Sequence, residues 1–130
     1  PRSVPSQKSL SCFDDWDELS MAVSIALPNS SIFICPNSYY SLNLGDGIYL
    51  PPIEIDVHGV SIQCGFDGSF TNSCIVIGGR HHFLLSTGAR NIVLQGISMR
   101  NATEISVLAI GDSLSSVKFI DCDWKGNLGA

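Results

Sequence analysis

Two groups of residues have side chains that could support catalysis or metal binding. Residues 78–82 read Gly-Gly-Arg-His-His, and Asp121 and Asp123 lie two positions apart near the end of the chain. Histidine can act as a general base or a metal ligand, and paired carboxylates can hold calcium or serve as acid and base. Adjacent strand residues point to opposite sides, so His81 and His82 cannot join one metal or one proton relay on a regular backbone. We therefore predict a surface turn at residues 78–82.

The two aspartates could share one face of a strand, because alternate strand residues point the same way. Side chains that follow a solenoid strand are commonly solvated, and solvated carboxylates are the interpretation we favour. The sequence thus predicts no catalytic residue, no cofactor and no metal. If the chain were an enzyme, the residues available to it would be Arg80, His82, Asp121 and Asp123.

The cysteines form no Cys-x-x-Cys pair and have no histidine at zinc-finger spacing, which disfavours a metal site. We predict a disulfide between Cys64 and Cys74, closing a Gly- and Ser-rich loop, and a second one between Cys12 and Cys35, tying a cap to the first strand. Cys122 is then left over. It is either a buried residue of the core or an intermolecular bridge, and burial is the favoured interpretation.

Two sequons for N-glycosylation occur, at Asn29-Ser30-Ser31 and Asn101-Ala102-Thr103. Together with the expected disulfides they indicate an oxidising, secretory environment, so we predict a secreted, extracellular protein. The sequence contains no signal peptide, and we expect its beginning to be a processed or truncated end.

The composition limits the classes of partner. The chain has 130 residues, enough for one domain, with a net charge of −5 and no cluster of Lys or Arg, which argues against nucleic-acid binding. A strongly anionic polysaccharide is also disfavoured unless calcium bridges the carboxylates, whereas a neutral glycan remains possible. No apolar run approaches the roughly 20 residues of a membrane span.

Three parts of the chain differ in pattern. We predict an extended arm for residues 1–11, an amphipathic helix for residues 12–28 and a single domain of stacked, repeating coils for residues 29–130. The helix is expected to cap the first of these coils. Asp15 is the expected N-cap, Glu18 reaches back to it, and Pro28 ends the helix. The apolar stripe of this helix comprises Trp16, Leu19, Val23, Ala26 and Leu27.

Short apolar runs separated by turn residues follow the helix, and they predict an all-β remainder. The ten runs span residues 32–35, 39–44, 47–50, 53–55, 60–64, 74–77, 82–85, 91–98, 106–110 and 117–121. Asp46-Gly47 and Asp67-Gly68 are hairpin signals that keep a β-sandwich open as an alternative.

Apolar residues recur at offsets the size of one coil, which favours a solenoid over a sandwich. Val117 and Phe119 follow Ile92 and Leu94 at the same interval along the chain. Leu94 follows Ile62 at a longer interval. Stacked parallel strands align like residues in columns. We predict a parallel β-helix of about four coils, each of about 22 to 25 residues, with an insertion near residues 67–73. The coils are expected to start near Ile32, Ile53, Phe83 and Val107.

Several segments resemble right-handed parallel β-helix proteins of the pectin-lyase-like superfamily, especially short cysteine-containing secreted members found among algal proteins. The resemblance covers about residues 30–127. It is carried by Cys35-Pro36-Asn37, Val60-Ser61-Ile62-Gln63-Cys64-Gly65, Gly68-Ser69, Asn72-Ser73-Cys74, Asn91-Ile92-Val93-Leu94-Gln95-Gly96-Ile97, Phe119-Ile120-Asp121-Cys122 and Gly126-Asn127.

This resemblance implies a fold and not an activity. Polygalacturonase-like members have paired aspartates with Gly-His-Gly and Arg-x-Lys segments, and pectate-lyase-like members have calcium-binding acids with an arginine base. Neither set occurs in this chain, so the resemblance assigns no catalytic residue.

Aromatic residues in or beside turns could stack on sugar rings, or they could pack over the ends of coils, which we favour. They are Tyr39, Tyr40, Tyr49, Phe66 and Phe70. We predict that Phe83 and Phe119 lie in the core.

The expected function is a non-catalytic, extracellular structural β-helix module, a glycosylated subunit of a surface coat, matrix or filament. Residues 125–130 contain no segment that could close the last coil, so we expect self-association there, end to end or by strand augmentation. One alternative is a polysaccharide lyase or hydrolase fragment of the pectin-lyase-like superfamily. The other is a glycan-binding or accessory subunit of a larger complex.

Overall fold

The computed structural model describes residues 11–110 and 117–128, so the arm predicted for residues 1–11 lies almost entirely outside the described residues. The described chain contains one α-helix, α1, a short 3-10 turn and many short strands. The bounds are α1 Trp16–Ser24, β1 Ser31–Ile34, β2 Tyr39–Ser41, β3 Asn43–Gly45, β4 Ile48–Tyr49, β5 Ile53–Ile55, β6 Ser61–Cys64, the 3-10 turn Phe70–Asn72, β7 Cys74–Ile77, β8 Phe83–Leu85, β9 Ile92–Gln95, β10 Ile97–Arg100, β11 Val107–Ala109, β12 Val117–Ile120 and β13 Asp123–Lys125.

The strands form three parallel sheets. Sheet 1 has the order β1-β6-β9-β12, sheet 2 the order β2-β7-β10-β13, and sheet 3 the order β5-β8-β11. The chain visits the three sheets in turn and then returns to sheet 1 beside the strand it left. Within the described residues it completes this circuit three times and adds two strands of a fourth. The β-rich class is confirmed, and the sandwich alternative is wrong because the main sheets are parallel.

The register of sheet 1 confirms both sequence offsets. Ile62 pairs with Ile32 on one side and Leu94 on the other, and Val117 pairs with Ile92. The side chains of Ile32, Ile62, Leu94 and Ile92 are buried inside the stack. Each column is closed only by the coils above and below it, as expected for a repeat that cannot bury its own inner face.

The four predicted starting points of the coils are not equivalent positions, so that prediction is wrong. Ile53, Phe83 and Val107 do stack on one another, but they do so in sheet 3, whereas Ile32 belongs to sheet 1. All three sheets share the same alternation of apolar residues. The pattern therefore identifies columns without showing which sheet each column belongs to.

Two insertions lengthen the first two coils, and the one near residues 67–73 was predicted. In sheet 1 Ile32, Ile62, Leu94 and Phe119 follow one another in register, and the first two intervals along the chain are longer than the last. An antiparallel hairpin of β3 and β4 extends the first coil at Asp46-Gly47, so the strand predicted for residues 39–44 ends at Ser41. Residues 65–73 extend the second coil, and Asp67-Gly68 lies in that loop and not in a hairpin.

The strand predicted for residues 91–98 is two strands. Gly96 adopts φ 76° between β9 and β10, and its N–H donates to the Ile120 carbonyl of the next coil. Only glycine enters this left-handed region without a steric cost. The chain therefore turns from sheet 1 to sheet 2 within a single residue.

The helix is shorter than the predicted span of residues 12–28. Asp15 is the N-cap, as expected, and its side chain accepts a hydrogen bond from the Glu18 N–H at 3.0 Å. The helix ends at Ser24, ahead of Pro28, and Leu27 is exposed and not part of the buried stripe. Trp16, Leu19 and Val23 are buried in the core, and Ala26, just beyond the helix, packs against it.

The helix covers the first coil. It packs against β5 and β1, and the Trp16 indole N–H donates to the Pro51 carbonyl at 2.9 Å. The Trp16 ring also contacts the rings of Tyr40 and Phe83. Just before the helix, Phe13 forms a single parallel bridge with β1. We call α1 together with Phe13 the cap.

Asparagine side chains fill the space beside glycines at the corners of adjacent coils. Gly59 has φ 76°, and a Cβ placed there would collide with Asn29 Oδ1 and lie 2.9 Å from its backbone nitrogen. Gly126 is related to Asn101 in the same way. Both asparagines have positive φ and exposed positions in turns. The glycine of one coil thus makes room for the asparagine of its neighbour.

We expect Gly59→Ala to lower the free energy of unfolding by about 2 to 4 kcal/mol, because backbone strain adds to the collision with Asn29. Gly47→Ala is a matched control, since Gly47 has φ 74° with nothing within 4 Å of the added methyl group. The control should lose only about 1 kcal/mol. Urea denaturation followed by circular dichroism measures both, and equal losses would contradict the corner packing.

Candidate functional site

The Arg-His cluster lies at the corner between sheets 2 and 3. Gly78 and Gly79 both have positive φ and turn the chain out of β7. Arg80 then forms an ion pair with Glu104 at 2.8 Å, and both side chains are about half exposed. An exposed pair of this kind contributes little to stability. It joins neighbouring coils without enclosing a site.

His82 is fully buried, which contradicts the surface turn predicted for residues 78–82. Its Nε2–H donates to the Gly78 carbonyl at 2.9 Å, so Nδ1 accepts from the Ser106 hydroxyl at 2.7 Å. Burial lowers the pKa of His82 to about 4, because the charged ring would lose its hydration. Both ring nitrogens are satisfied while the ring is neutral, and this is why a histidine can occupy the core.

The His82 and Ser106 side chains resemble a nucleophile and its base, yet neither can meet a substrate. Ser106 is buried as well, and its hydroxyl is committed to the ring. His81 is only partly exposed: its Nδ1–H donates to the Ile105 carbonyl at 2.6 Å, and its Nε2 lies 3.5 Å from a carboxylate oxygen of Glu104. The two histidines therefore face different surroundings, as the strand argument predicts, and their arrangement is structural.

The prediction that Asp121 and Asp123 could share a strand face is wrong. Asp121 lies at the corner after β12 with φ 52°, and Asp123 begins β13. Lys125 Nζ lies 3.6 Å from Asp123 Oδ2. Across residues 11–110 and 117–128, no group of three His, Cys, Asp or Glu residues is arranged to hold a metal ion.

Four of the five cysteines form the two predicted disulfides. Cys12 is bonded to Cys35 and Cys64 to Cys74, with Cα–Cα distances of 4.8 and 5.8 Å. Cys122 is free and half-buried, and its thiol donates to the Leu94 carbonyl at 3.3 Å. Burial raises the pKa of the Cys122 thiol, which makes it a poor nucleophile at neutral pH.

The aromatic residues assigned to turns do not form one surface. Tyr40 is buried and donates its hydroxyl hydrogen to the Phe13 carbonyl at 2.7 Å, so its prediction as a turn residue is wrong. Tyr39 and Tyr49 are exposed on β2 and on the hairpin. Phe66 packs edge to face on Phe33, with ring centroids 5.0 Å apart. These aromatic residues therefore do not form one shared stacking surface.

A groove of about 320 Å³ runs between the 3-10 turn and the outer face of sheet 2. Phe70 lines one side of it, and Ser98 and Arg100 line the other. The Arg100 Nε–H donates to Ser98 Oγ at 2.8 Å. Sequence reasoning missed this groove, because only the three-dimensional path of the inserted loop brings Phe70 over strand β10.

The last coil carries several exposed apolar side chains. In the described residues β11, β12 and β13 are each the edge strand of a sheet, with one free edge. Trp124 is 45% exposed and Leu128 79% exposed, and Phe119, predicted to be core, is only half-buried. The rings of Phe119 and Trp124 meet edge to face at 5.1 Å. We call the free edges of β11, β12 and β13, with Ile110, Phe119, Trp124 and Leu128, the open end.

Trp124 is a functional candidate that the residue pattern could have revealed. It pairs with Met99 of the preceding coil, whose side chain is fully buried. Met99 and Trp124 are separated by the same offset that is already visible between Ile92 and Val117. Trp124 therefore occupies a core position and is exposed because no described coil lies beyond it.

Comparisons with protein-family models, with curated proteins and with solved structures found no match. None of the helical segments described is long and apolar enough to cross a membrane. The open end and the sheet 2 groove are thus the surfaces whose own geometry suggests a function.

The buried neutral His82 predicts a pH-dependent stability. The unfolded ring takes up its proton near pH 6.5, whereas the folded ring stays neutral down to about pH 4. The free energy of unfolding should therefore decrease as the pH is lowered through this window, by about 2 kcal/mol from pH 7 to pH 5. Urea denaturation at a series of pH values measures it, and a flat profile would contradict the burial of a neutral ring.

Two variants show which histidine causes this pH dependence. His82→Gln cannot take up a proton, so its smaller free energy of unfolding should vary less over the same window. His58→Gln removes an exposed histidine and should keep the wild-type slope. The nearby side chains of Arg80, His81 and Glu104 are unchanged in both.

Proposed function

We propose that this chain is a non-catalytic, extracellular structural module that builds a surface coat, matrix or filament by self-association through its open end. We further propose that it is a right-handed parallel β-helix of the pectin-lyase-like kind. The observation that carries the proposal is the exposure of core-position aromatic and aliphatic side chains beside three free strand edges.

The handedness is supported by a general rule. Connections between parallel strands of one sheet are right-handed in about 98% of known cases, because of the twist of the strands. Every return to sheets 1, 2 and 3 in this chain is a connection of that type. The corner glycines and stacked columns are those expected of such a helix.

The occupant of the open end that fits best is a second copy of the chain. The free edges of β11, β12 and β13 belong to three different sheets, so a partner must offer complementary groups on three sides at once. An extended peptide could pair with one edge but not with all three. Exposed edges attract further pairing, and apolar side chains such as Trp124 and Leu128 strengthen it.

An extracellular location is supported by the two disulfides and by the placement of the sequons. Disulfides persist in oxidising compartments. Asn29 and Asn101 are both exposed at corners, where a glycan would project away from the stack. A glycosylated subunit of a coat or matrix is consistent with both observations.

The non-catalytic part of the proposal is supported by the separation of the available groups. Arg80 and His82 follow β7, at the corner between sheets 2 and 3, whereas Asp121 and Asp123 flank the corner between sheets 1 and 2 of the last coil. His82 is also inaccessible. These four residues therefore do not assemble into an acid and base set for a lyase or a hydrolase.

Glycan binding is a second candidate, and the groove on sheet 2 favours it. Its volume of about 320 Å³ is at the lower end of ligand sites, and Phe70 and Arg100 could supply a stacking face and a donor. A glycan array with Phe70→Ser as the matched variant tests this candidate separately from self-association.

Self-association should be lost when the open end is made polar. We expect Trp124→Ser combined with Leu128→Ser to weaken it at least about tenfold, because two apolar side chains no longer leave water on assembly. Light scattering coupled to size exclusion measures the mass over a dilution series. Circular dichroism confirms that the variant is folded.

The control is Ile48→Ser on the β3–β4 hairpin, where the side chain is 58% exposed and far along the chain from the open end. It removes a comparable apolar side chain and should leave assembly unchanged. A wild-type protein that stays monomeric at all concentrations, or a double variant that assembles normally, would overturn the proposed function.

The glycosylation sites can be tested without disturbing the corners. Expressed in a glycosylating eukaryotic host, the chain should carry N-glycans that an amidase removes with a fall in mass. Thr103→Ala and Ser31→Ala each destroy one sequon while leaving Asn101 and Asn29 against their glycines. Each should remove one glycan by mass spectrometry, and an unglycosylated wild type would contradict this part of the proposal.

A further inference from the structure

The free edges of the open end belong to one turn of the chain. β11, β12 and β13 are the last three strands of the described residues, and each is the edge strand of a different sheet. Because the chain winds as it advances, β12 stands about a third of the roughly 4.8 Å strand spacing beyond β11, and β13 stands a further third beyond β12. The end of the stack is therefore a ramp with β12 at its midpoint.

A second copy fits this ramp when a two-fold axis relates the two copies at the edge of β12. The rotation sets β12 antiparallel to the same strand of the other copy, and it brings the high edge of β13 opposite the low edge of β11. The differences in height cancel, so each of the three edges lies one strand spacing from a partner edge. An axis at β13 would leave gaps one strand wide at the other two edges, and an axis at β11 would make those edges collide.

The backbone groups of β12 point in the direction that this pairing needs. The Gly96 N–H donates to the Ile120 carbonyl, so the backbone of Ile120 faces the preceding coil. Backbone groups of successive strand residues point to alternate sides, and those of Phe119 therefore point to the free edge. Phe119 also holds a core position, because it pairs with the buried Leu94. Two copies paired at Phe119 would exchange two hydrogen bonds and place both rings on the inner side.

The same alternation applies to the other two edges. The Lys125 carbonyl and the Ile110 N–H are each hydrogen-bonded to the preceding coil. The backbone groups of Trp124 and Ala109, one residue earlier along the chain, therefore point to the free edges. In the two-fold contact the large Trp124 side chain meets β11, whose core positions hold the small Val107 and Ala109. Large side chains facing small ones can fill the junction without a void.

The charges of the open end allow this contact. Residues 117–128 carry two lysines and two aspartates, Lys118, Lys125, Asp121 and Asp123. The surface is thus neutral in sum, and β11 has no charged residue. Pairing at Phe119 sets Lys118 opposite Ile120 of the other copy, whereas pairing at Lys118 would set two lysines opposite each other. The register that the backbone directions favour is also the one without opposed like charges.

We propose that two copies join open end to open end about a two-fold axis at β12, with β12 paired to itself and β13 paired to β11. This inference rests on the proposed function and specifies the geometry of its contact. The contact is isologous, because the same surface is used twice. It pairs all three free edges, so it stops at two copies. The proposed coat or matrix would then be built from pairs.

A proline at position 109 tests the strand pairing without removing a large side chain. The N–H that it lacks is the one that points to the free edge, so the monomer keeps its hydrogen bonds to β8. We expect Ala109→Pro to weaken self-association at least about tenfold in sedimentation, because backbone hydrogen bonds between the copies are lost. Its urea midpoint as a dilute monomer should stay near that of the wild type. Leu108→Pro is the matched control, since the Leu108 N–H faces β8, and its urea midpoint should fall.

Cross-linking tests the orientation of the two copies. In a Cys122→Ala background, copies with Lys118→Cys are mixed with copies with Ile120→Cys. The proposed register sets these positions opposite each other at a Cα–Cα distance of about 4.5 Å, which suits a disulfide. Oxidation in air should therefore give covalent dimers. A mixture of Lys118→Cys with Met21→Cys, on the cap, should give none.

The outcomes separate this inference from the proposed function. The wild-type mass should rise to that of two copies and stay there as the concentration increases. If the mass grows beyond two copies, or if the mixture with Met21→Cys cross-links instead, the chain self-associates but the two-fold contact is wrong. A variant Ala109→Pro that pairs like the wild type would also overturn the inference alone. If the wild type is monomeric at all concentrations, both proposals fail together.

Discussion

The structure depends on one constraint, which is that no coil can bury its own inner face. Ile62 is buried because Ile32 lies on one side of it and Leu94 on the other, in strict parallel register. The hydrophobic effect therefore acts between coils, and the stability of each coil is a property of its neighbours. Among the described residues, the first and the last coil each have only one neighbouring coil. The cap satisfies the constraint at one pole, where Trp16 and Leu19 take the place of a preceding coil.

The same register governs the corners. Successive coils must turn at the same level, and the chain does so by placing residues with positive φ one above another. Asn29 lies against Gly59 and Asn101 against Gly126, so a large residue alternates with a small one. Two like asparagines would collide, and two glycines would leave a gap and add disorder to the unfolded chain. Both sequons fall on these corner asparagines, so the two predicted glycosylation sites are also residues that pack against the glycines of neighbouring coils.

The residue pattern predicts contacts between neighbouring coils much better than it predicts their arrangement. The offsets of Val117 from Ile92 and of Leu94 from Ile62 are confirmed because stacked columns select like side chains. The predicted starting points of the coils were wrong because sheet 3, which contains Phe83, shows the same alternation of apolar residues as sheet 1. The insertion near residues 67–73 was predicted, because it lengthens the interval between Ile62 and Leu94. The path of that loop, and with it the groove beside Arg100, could not be predicted, since a loop path leaves no periodic signal. The burial of His82 depends on Ser106, which is distant along the chain and becomes its partner only through the register.

The two poles of the described chain are unequal, and this inequality limits where strands of a second copy could pair. At one pole the helix packs against β1 and β5. At the other pole no described segment covers β11, β12 and β13, so each of them has one free edge. Unpaired strand edges attract further strands, whereas a helix has no edge to offer. The proposed self-association therefore depends on the strands around Trp124 and not on the helix.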